Sequence, residues 1–170
     1  KLDQASLLAA AETGDLGQHG QTPVKTRRYI SSRYLSHPFY DYSVYQLDSG
    51  GRLALIVTRL CTHDGHAALR IVDMLGDPEV LAGAGPMVDA LMAESGAEYA
   101  DMFVSSGQAA LHSAGLRLLD RDGEIRLPGY FEPFSTDWVE LVASLRGPEG
   151  CDVVCKGDCD QDRPNLLDRA

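Results

Sequence analysis

The chain has 170 residues, of which 44% are apolar and 24% charged, and it carries a net charge of −10 at neutral pH. That length and balance suit one globular domain with a real core and exclude a disordered chain. The excess of carboxylates argues against a surface for nucleic acid or anionic membrane, and no apolar run reaches bilayer-spanning length.

Residues 1–21 read as an N-terminal helix, Leu2 to Ala11, and a connector containing Gly14, Gly17 and Gly20. Residues 22–170 read as the main domain, including its C-terminal tail. The run Leu7 to Ala11 is too short for a secretory signal. Because the first residue is Lys1, the reading allows for a trimmed chain or a missing N-terminal half, and a homodimer is a separate expectation. Thr22-Pro23 is a helix-start signal, and the helix is predicted to run to about Leu35 before His37-Pro38 ends it. Arg33 to Tyr42 packs basic, imidazole and aromatic groups into ten residues, with Tyr34, Phe39 and Tyr42 read first as core.

Alternation predicts strands over Ser43–Leu47 and Arg52–Leu60, joined by Asp48-Ser49-Gly50-Gly51. His63 and His66 flank the next turn and read as solvated. Leu69 to Leu75 is an apolar run with the form of a buried strand. Gly76-Asp77-Pro78-Glu79 is a turn, and Val80 to Gly85 a glycine-bearing loop. Pro86 to Ala93 has helical spacing with proline at the first position, and Gly96 can stop it. Tyr99–Val104 is a further strand and Gln108–Ala114 a short helix ending at Gly115-Leu116. Arg117–Asp120 and Glu124–Leu127 are predicted to form a hairpin. Trp138 to Leu145 fits either a helix or a strand, and Cys151 to Lys156 reads as a last strand.

The order strand, glycine loop, helix, strand, helix has a physical use. Glycines let a backbone approach a ligand, and a helix N-terminus favours phosphate. Pro78-Glu79 followed by Val80-x-x-Gly83-x-Gly85, with Ala110-Leu111-His112-Ser113-Ala114-Gly115-Leu116 downstream, resembles the acyl-CoA region of the GNAT acyltransferase superfamily. The resemblance is strong over the middle third of the chain. It implies an α/β fold with a mixed, mostly antiparallel central sheet, a splayed parallel strand pair (Leu69–Leu75 beside Tyr99–Val104) and helices on both faces. It also implies acetyl-CoA or another acyl-CoA as substrate, held by Met74, Leu75, Val80, Gly83, Ala84 and Gly85. Transfer would go to a small-molecule amine. The sequence departs from the family in two places. Val80 stands where the family prefers Gln or Arg, and Leu111 where many members carry the tyrosine that protonates the leaving thiolate.

Asp73, on the first of the paired strands, is one candidate base and His37 the other, and His37 or Tyr40 would orient the acceptor. The tail run Lys156-Gly157-Asp158-Cys159-Asp160-Gln161-Asp162-Arg163-Pro164-Asn165 resembles one found in bacterial GNAT-like proteins associated with surface glycans, which suggests an amino-sugar acceptor. Four cysteines (Cys61, Cys151, Cys155 and Cys159), three of them near the C-terminus, form no disulfide framework and point to a reducing cytoplasm. The cysteines lack a fourth zinc partner. Asp158-x-Asp160-x-Asp162 has Arg163 where a calcium loop needs glycine, so no metal is expected. The sequence thus leaves an acyltransferase, a degenerate GNAT-like domain that binds a metabolite or partner domain without catalysis, and a tail-bound metal protein as readings.

Overall fold

The computed structural model describes residues 1–9, 24–120, 122–132, 134–137 and 153–158. Helix α1 spans Gln4–Ala9 and α2 spans Arg27–Ile30; α2 widens into a π-helical turn over Ser31–Leu35, closed by the Ser36 N–H on the Ser31 carbonyl at 3.0 Å. Strands β1 (Ser43–Ser49), β2 (Arg52–His63) and β3 (His66–Gly76) follow, then helices α3 (Pro78–Ala82) and α4 (Gly85–Ser95). Strand β4 (Tyr99–Met102), helix α5 (Gln108–Ser113) and the short pair β5 (Tyr130–Phe131) and β6 (Phe134–Ser135) complete the elements used below.

The main sheet has the order β1-β2-β3-β4, antiparallel except for the parallel pair β3–β4. Its strands alternate between two cores. Leu55, Val57, Val72 and Leu75 pack with Leu7, Ile30, Tyr34, Tyr40 and Tyr42, so α1 and α2 cover one face. Ala54, Ile56, Leu69, Ile71 and Met74 pack with Val80, Leu81, Val88 and Ala114, so α3, α4 and α5 cover the other. The chain is therefore a mixed α/β fold with a mostly antiparallel sheet and helices on both faces. Among the described residues no helix is long and apolar enough to cross a membrane.

Two irregularities shape the site. First, Val57 pairs with Asp73 while Thr58 pairs with Ile71, which leaves Val72 as the extra residue of a β-bulge. Unbroken alternation would put Asp73 on the same face as Ile71. The bulge turns it to the face shared by Val72, Leu75 and α2. Second, the β3–β4 pairing stops at Ile71–Met102, and the chain beyond β4 pairs with the tail. The Lys156 N–H donates to the Phe103 carbonyl at 3.1 Å and the Ser105 N–H to the Val154 carbonyl at 2.9 Å, with Val104 and Cys155 bridged between them. The next residues, Lys156–Asp158, form a 3₁₀ turn packed on β3. The tail thus fills the fork between the two parallel strands.

Several expectations change. The helix cap is Thr26, whose hydroxyl accepts the Tyr29 N–H at 3.0 Å; Thr22 and Pro23 lie outside the described residues, as do Glu12–Gln21 and Trp138–Leu145. The loop predicted over Val80–Gly85 begins as helix α3, because Asp77 accepts the N–H groups of Glu79 and Val80 at 2.8 and 3.3 Å and so starts a turn that Pro78 continues. Arg117–Asp120 and Glu124–Leu127 form no strands; Leu118 and Ile125 stay exposed, with no apolar partner face to hold a hairpin. The last strand shrinks to a bridge at Cys155, with residues 151 and 152 outside the described range.

Candidate functional site

The fully buried carboxylate of Asp73 is the centre of a polar cluster beside the fork. Lys25, just before the Thr26 cap, places its Nζ 2.5 Å from Asp73 Oδ1 and 2.8 Å from Asp158 Oδ2. The Tyr34 hydroxyl, carried by the π-helical turn, donates to Asp73 Oδ2 at 2.7 Å. Asp158 Oδ2 also accepts the Cys155 N–H at 2.9 Å. Gly157 fits because it lacks a side chain: a Cβ there would lie 2.1 Å from the Tyr34 hydroxyl and 3.0 Å from the Val72 carbonyl. Four stretches of chain, 25, 34, 73 and 155–158, therefore meet at one point.

The charges in the cluster do not balance. Two carboxylates face one ammonium in a setting with little water, and Lys25, Asp73, Tyr34 and Cys155 hold their protons more tightly than usual. Burial works to lower the Lys25 pKa, but the charges of Asp73, Cys155 and Asp158 overcome it and raise it. Burial raises the Asp73 pKa against the opposing pull of Lys25, with Asp158 adding to the rise. Burial, followed by Asp73, pushes up both the Tyr34 hydroxyl and the Cys155 thiol. The site thus favours a cation. Asp73, Cys155 and Asp158 offer ligand atoms within 4.8 Å of one another, the metal-competent group found among the described residues. In this arrangement the Lys25 ammonium already bonds both carboxylates and holds the position a cation would take.

The residues expected to form an acceptor site divide. Asp73 lies at the fork, but both of its oxygens are engaged. His37 and Tyr40 stack on each other at 5.4 Å, and the Tyr40 N–H donates to His37 Nδ1 at 3.0 Å. Aromatic neighbours link His37 to the Asp73 cluster: it packs edge-on to Tyr42 at 5.3 Å, and Tyr42 packs edge-on to Tyr34 at 5.1 Å. Lys25 and Tyr34 hydrogen-bond to Asp73, and Asp158 shares the Lys25 ammonium. The tail run from Lys156 to Asn165 points to an amine-binding role for its carboxylates, but nothing in the spacing of Lys25, Tyr34 and Asp158 marks them as neighbours of Asp73.

Two N–H groups of the glycine loop are used within it. The Gly83 N–H donates to the Val80 carbonyl at 3.1 Å and the Ala84 N–H to the Leu81 carbonyl at 3.0 Å, closing α3. A Cβ on Gly85 would lie 2.7 Å from the Ala114 carbonyl, so this glycine lets α4 start against the end of α5. Val80 is buried, and Met74, Val80, Ala84 and the half-buried Leu111 belong to the second core, while Leu75 belongs to the first. Beside the fork, the buried Arg70 holds Asp101 through two bonds of 2.8 and 2.5 Å and the carbonyls of Pro128 and Gly129 at 2.7 and 3.3 Å. The Lys156 ammonium also reaches Gly129, at 2.5 Å. This second polar cluster, inside a run read as apolar, clamps the 128–131 segment to the sheet. Compared with protein families, curated proteins and solved structures, the chain finds no match.

Proposed function

We propose that this chain is a GNAT-like domain that binds a small amine-bearing metabolite beside Asp73 and does not acylate it. The observation that carries the reading is the convergence of Asp73 and Asp158 on one buried ammonium at the fork between β3 and β4. Paired carboxylates with a hydroxyl donor behind them recognise an ammonium by charge and by its several N–H donors. A net charge of −10 draws cations to the surface and disfavours a polyanionic cofactor. Features that would hold and use an acyl-CoA are committed elsewhere. The Gly83 and Ala84 N–H groups close α3, Gly85 serves packing, and the tail occupies the fork. Position 111 carries leucine, which has no proton to give a leaving thiolate. Amino sugars are among the amines this reading admits.

The second reading, acyl transfer from acyl-CoA to such an amine, is favoured by the parallel β3–β4 pair and its parting beyond Ile71 and Met102. Calorimetry with acetyl-CoA separates the two. The expected result is no saturable heat at millimolar cofactor. Saturable binding, together with acetylation of any amine in a mass-spectrometric assay, would replace the first reading with the second.

A further inference from the structure

The occupant of the amine site is the chain's own Lys25. Resting on the amine-binding reading, we propose that Lys25 is a displaceable internal ligand: its ammonium holds the place of the ligand's primary amine and keeps the site closed until that amine replaces it.

Three features of the structure support this. The neighbouring Val24 is 72% exposed while Lys25 is 4% exposed, so the chain passes from surface to interior over one residue. The second feature is the rim. Asp158 keeps 10% exposure, and the half-open ring of Tyr29 lies close enough to Asp73 and Asp158 to feel both charges. The third is the donor requirement. One nitrogen must donate to Asp73 Oδ1 and Asp158 Oδ2 at once. A primary ammonium has three N–H donors and can do so; a quaternary ammonium has none. The stem of Lys25 is unbranched, so the ligand class is a primary amine on a slim carbon framework at the nitrogen end.

Displacement is a competition between a tethered and a free ammonium. Lys25 acts at the high local concentration of an attached group, so a simple amine competes only when its own concentration approaches that value, and a natural ligand competes at lower concentration by adding contacts at the rim or with the tail. Removing Lys25 leaves two carboxylates facing each other without a cation, which destabilises the fold and makes it dependent on added amine.

The test is chemical rescue. Lys25→Ala removes the three outer carbons and the nitrogen of the side chain, and the n-propylammonium ion supplies those atoms. Thermal melts of Lys25→Ala are followed with n-propylammonium and, at matched ionic strength, with tetramethylammonium. The expected result is a saturating recovery of at least half the lost melting temperature with n-propylammonium alone. Lys25→Met, which refills the stem without the charge, should show no such recovery. Equal effects of the two ions on folded Lys25→Ala would overturn the proposal. If that variant does not fold, the wild-type chain decides. Saturating shifts of the Lys25 and Asp158 amide resonances with n-propylammonium, absent with tetramethylammonium, support displacement, and no selective shift overturns it. An intact mass one water below that of the sequence would also overturn it, since Lys25 and Asp73 would then be joined as an amide. Acetyl-CoA plays no part in these measurements, so their outcome is separate from that of the calorimetry.

Discussion

The tightest fit among the described glycines is at Gly157. An added Cβ would sit 2.1 Å from the Tyr34 hydroxyl, well inside contact distance, and 3.0 Å from the Val72 carbonyl. Gly157→Ala is therefore expected to destabilise the chain by about 1–3 kcal/mol or more through overpacking. Tyr34→Phe removes the hydroxyl and leaves Asp73 Oδ2 without its donor, at a cost of about 1–3 kcal/mol. The same change opens room for the Gly157 methyl. The double variant should lose less than the sum of the two single losses, because each relieves part of what the other causes. Denaturant melts of the four proteins check this. Strict additivity would mean that the tail does not press on Tyr34.

At the scale of elements, the short helix α3 and the start of α4 decide what the glycines do. In an anion cradle both Gly83 and Gly85 would be needed for backbone approach. Here their surroundings differ. A Cβ on Gly83 meets only the Val80 carbonyl at 3.4 Å, an ordinary contact, whereas one on Gly85 meets the Ala114 carbonyl at 2.7 Å. Gly83→Ala is thus expected to leave stability within about 0.5 kcal/mol of the parent, and Gly85→Ala to lower the melting temperature clearly by pushing α4 off α5. Thermal denaturation of the two variants gives the comparison. A large effect at Gly83 would point to a role beyond packing. Neither the end of α3 nor this packing could be read from Val80-x-x-Gly83-x-Gly85. The motif spacing is local, while the neighbour of Gly85 is Ala114, on another helix.

For the molecule as a whole, the excess negative charge of the Lys25–Asp73–Asp158 cluster sets a pH dependence. Lys25, Tyr34 and Cys155 all have folded pKa values above their ordinary values of 10.5, 10.0 and 9.0. In each case the folded state holds a proton that the unfolded state has begun to release. Stability from this source is complete below about pH 9 and falls as pH rises through 9 and beyond. Asp73 is also raised, from 3.8, so between that pH and its folded value it favours the folded state more as pH falls. Melting temperature measured from neutral to strongly alkaline pH should fall steeply. Tyr34→Phe should flatten the fall by removing one of the three groups. An unchanged slope in that variant would take Tyr34 out of the coupled cluster.

The sequence by itself determined what repeats along the chain. Alternation over Ser43–Leu47 and Arg52–Leu60, the apolar run at Leu69–Leu75 and the proline-led helix before Gly96 are short-range signals, and β1, β2, β3 and α4 stand close to where they pointed. The parallel neighbours β3 and β4 followed from element order and the family resemblance. Only the tertiary structure decided the site. One bulge residue, Val72, turns Asp73 across the sheet, and no alternation pattern marks a residue that breaks alternation. Lys25, Tyr34 and Asp158 are separated from Asp73 by 48, 39 and 85 positions, and their meeting depends on the tail entering the fork. His37 and Tyr40, near Tyr34 in sequence, point into their own aromatic stack, because a π-helical turn and His37-Pro38 redirect the chain between them. Local pattern reflects which face of an element is apolar. Which charged groups share a buried space is set by long-range packing, where a single unpaired carboxylate is costly enough to bring Lys25 in from the surface.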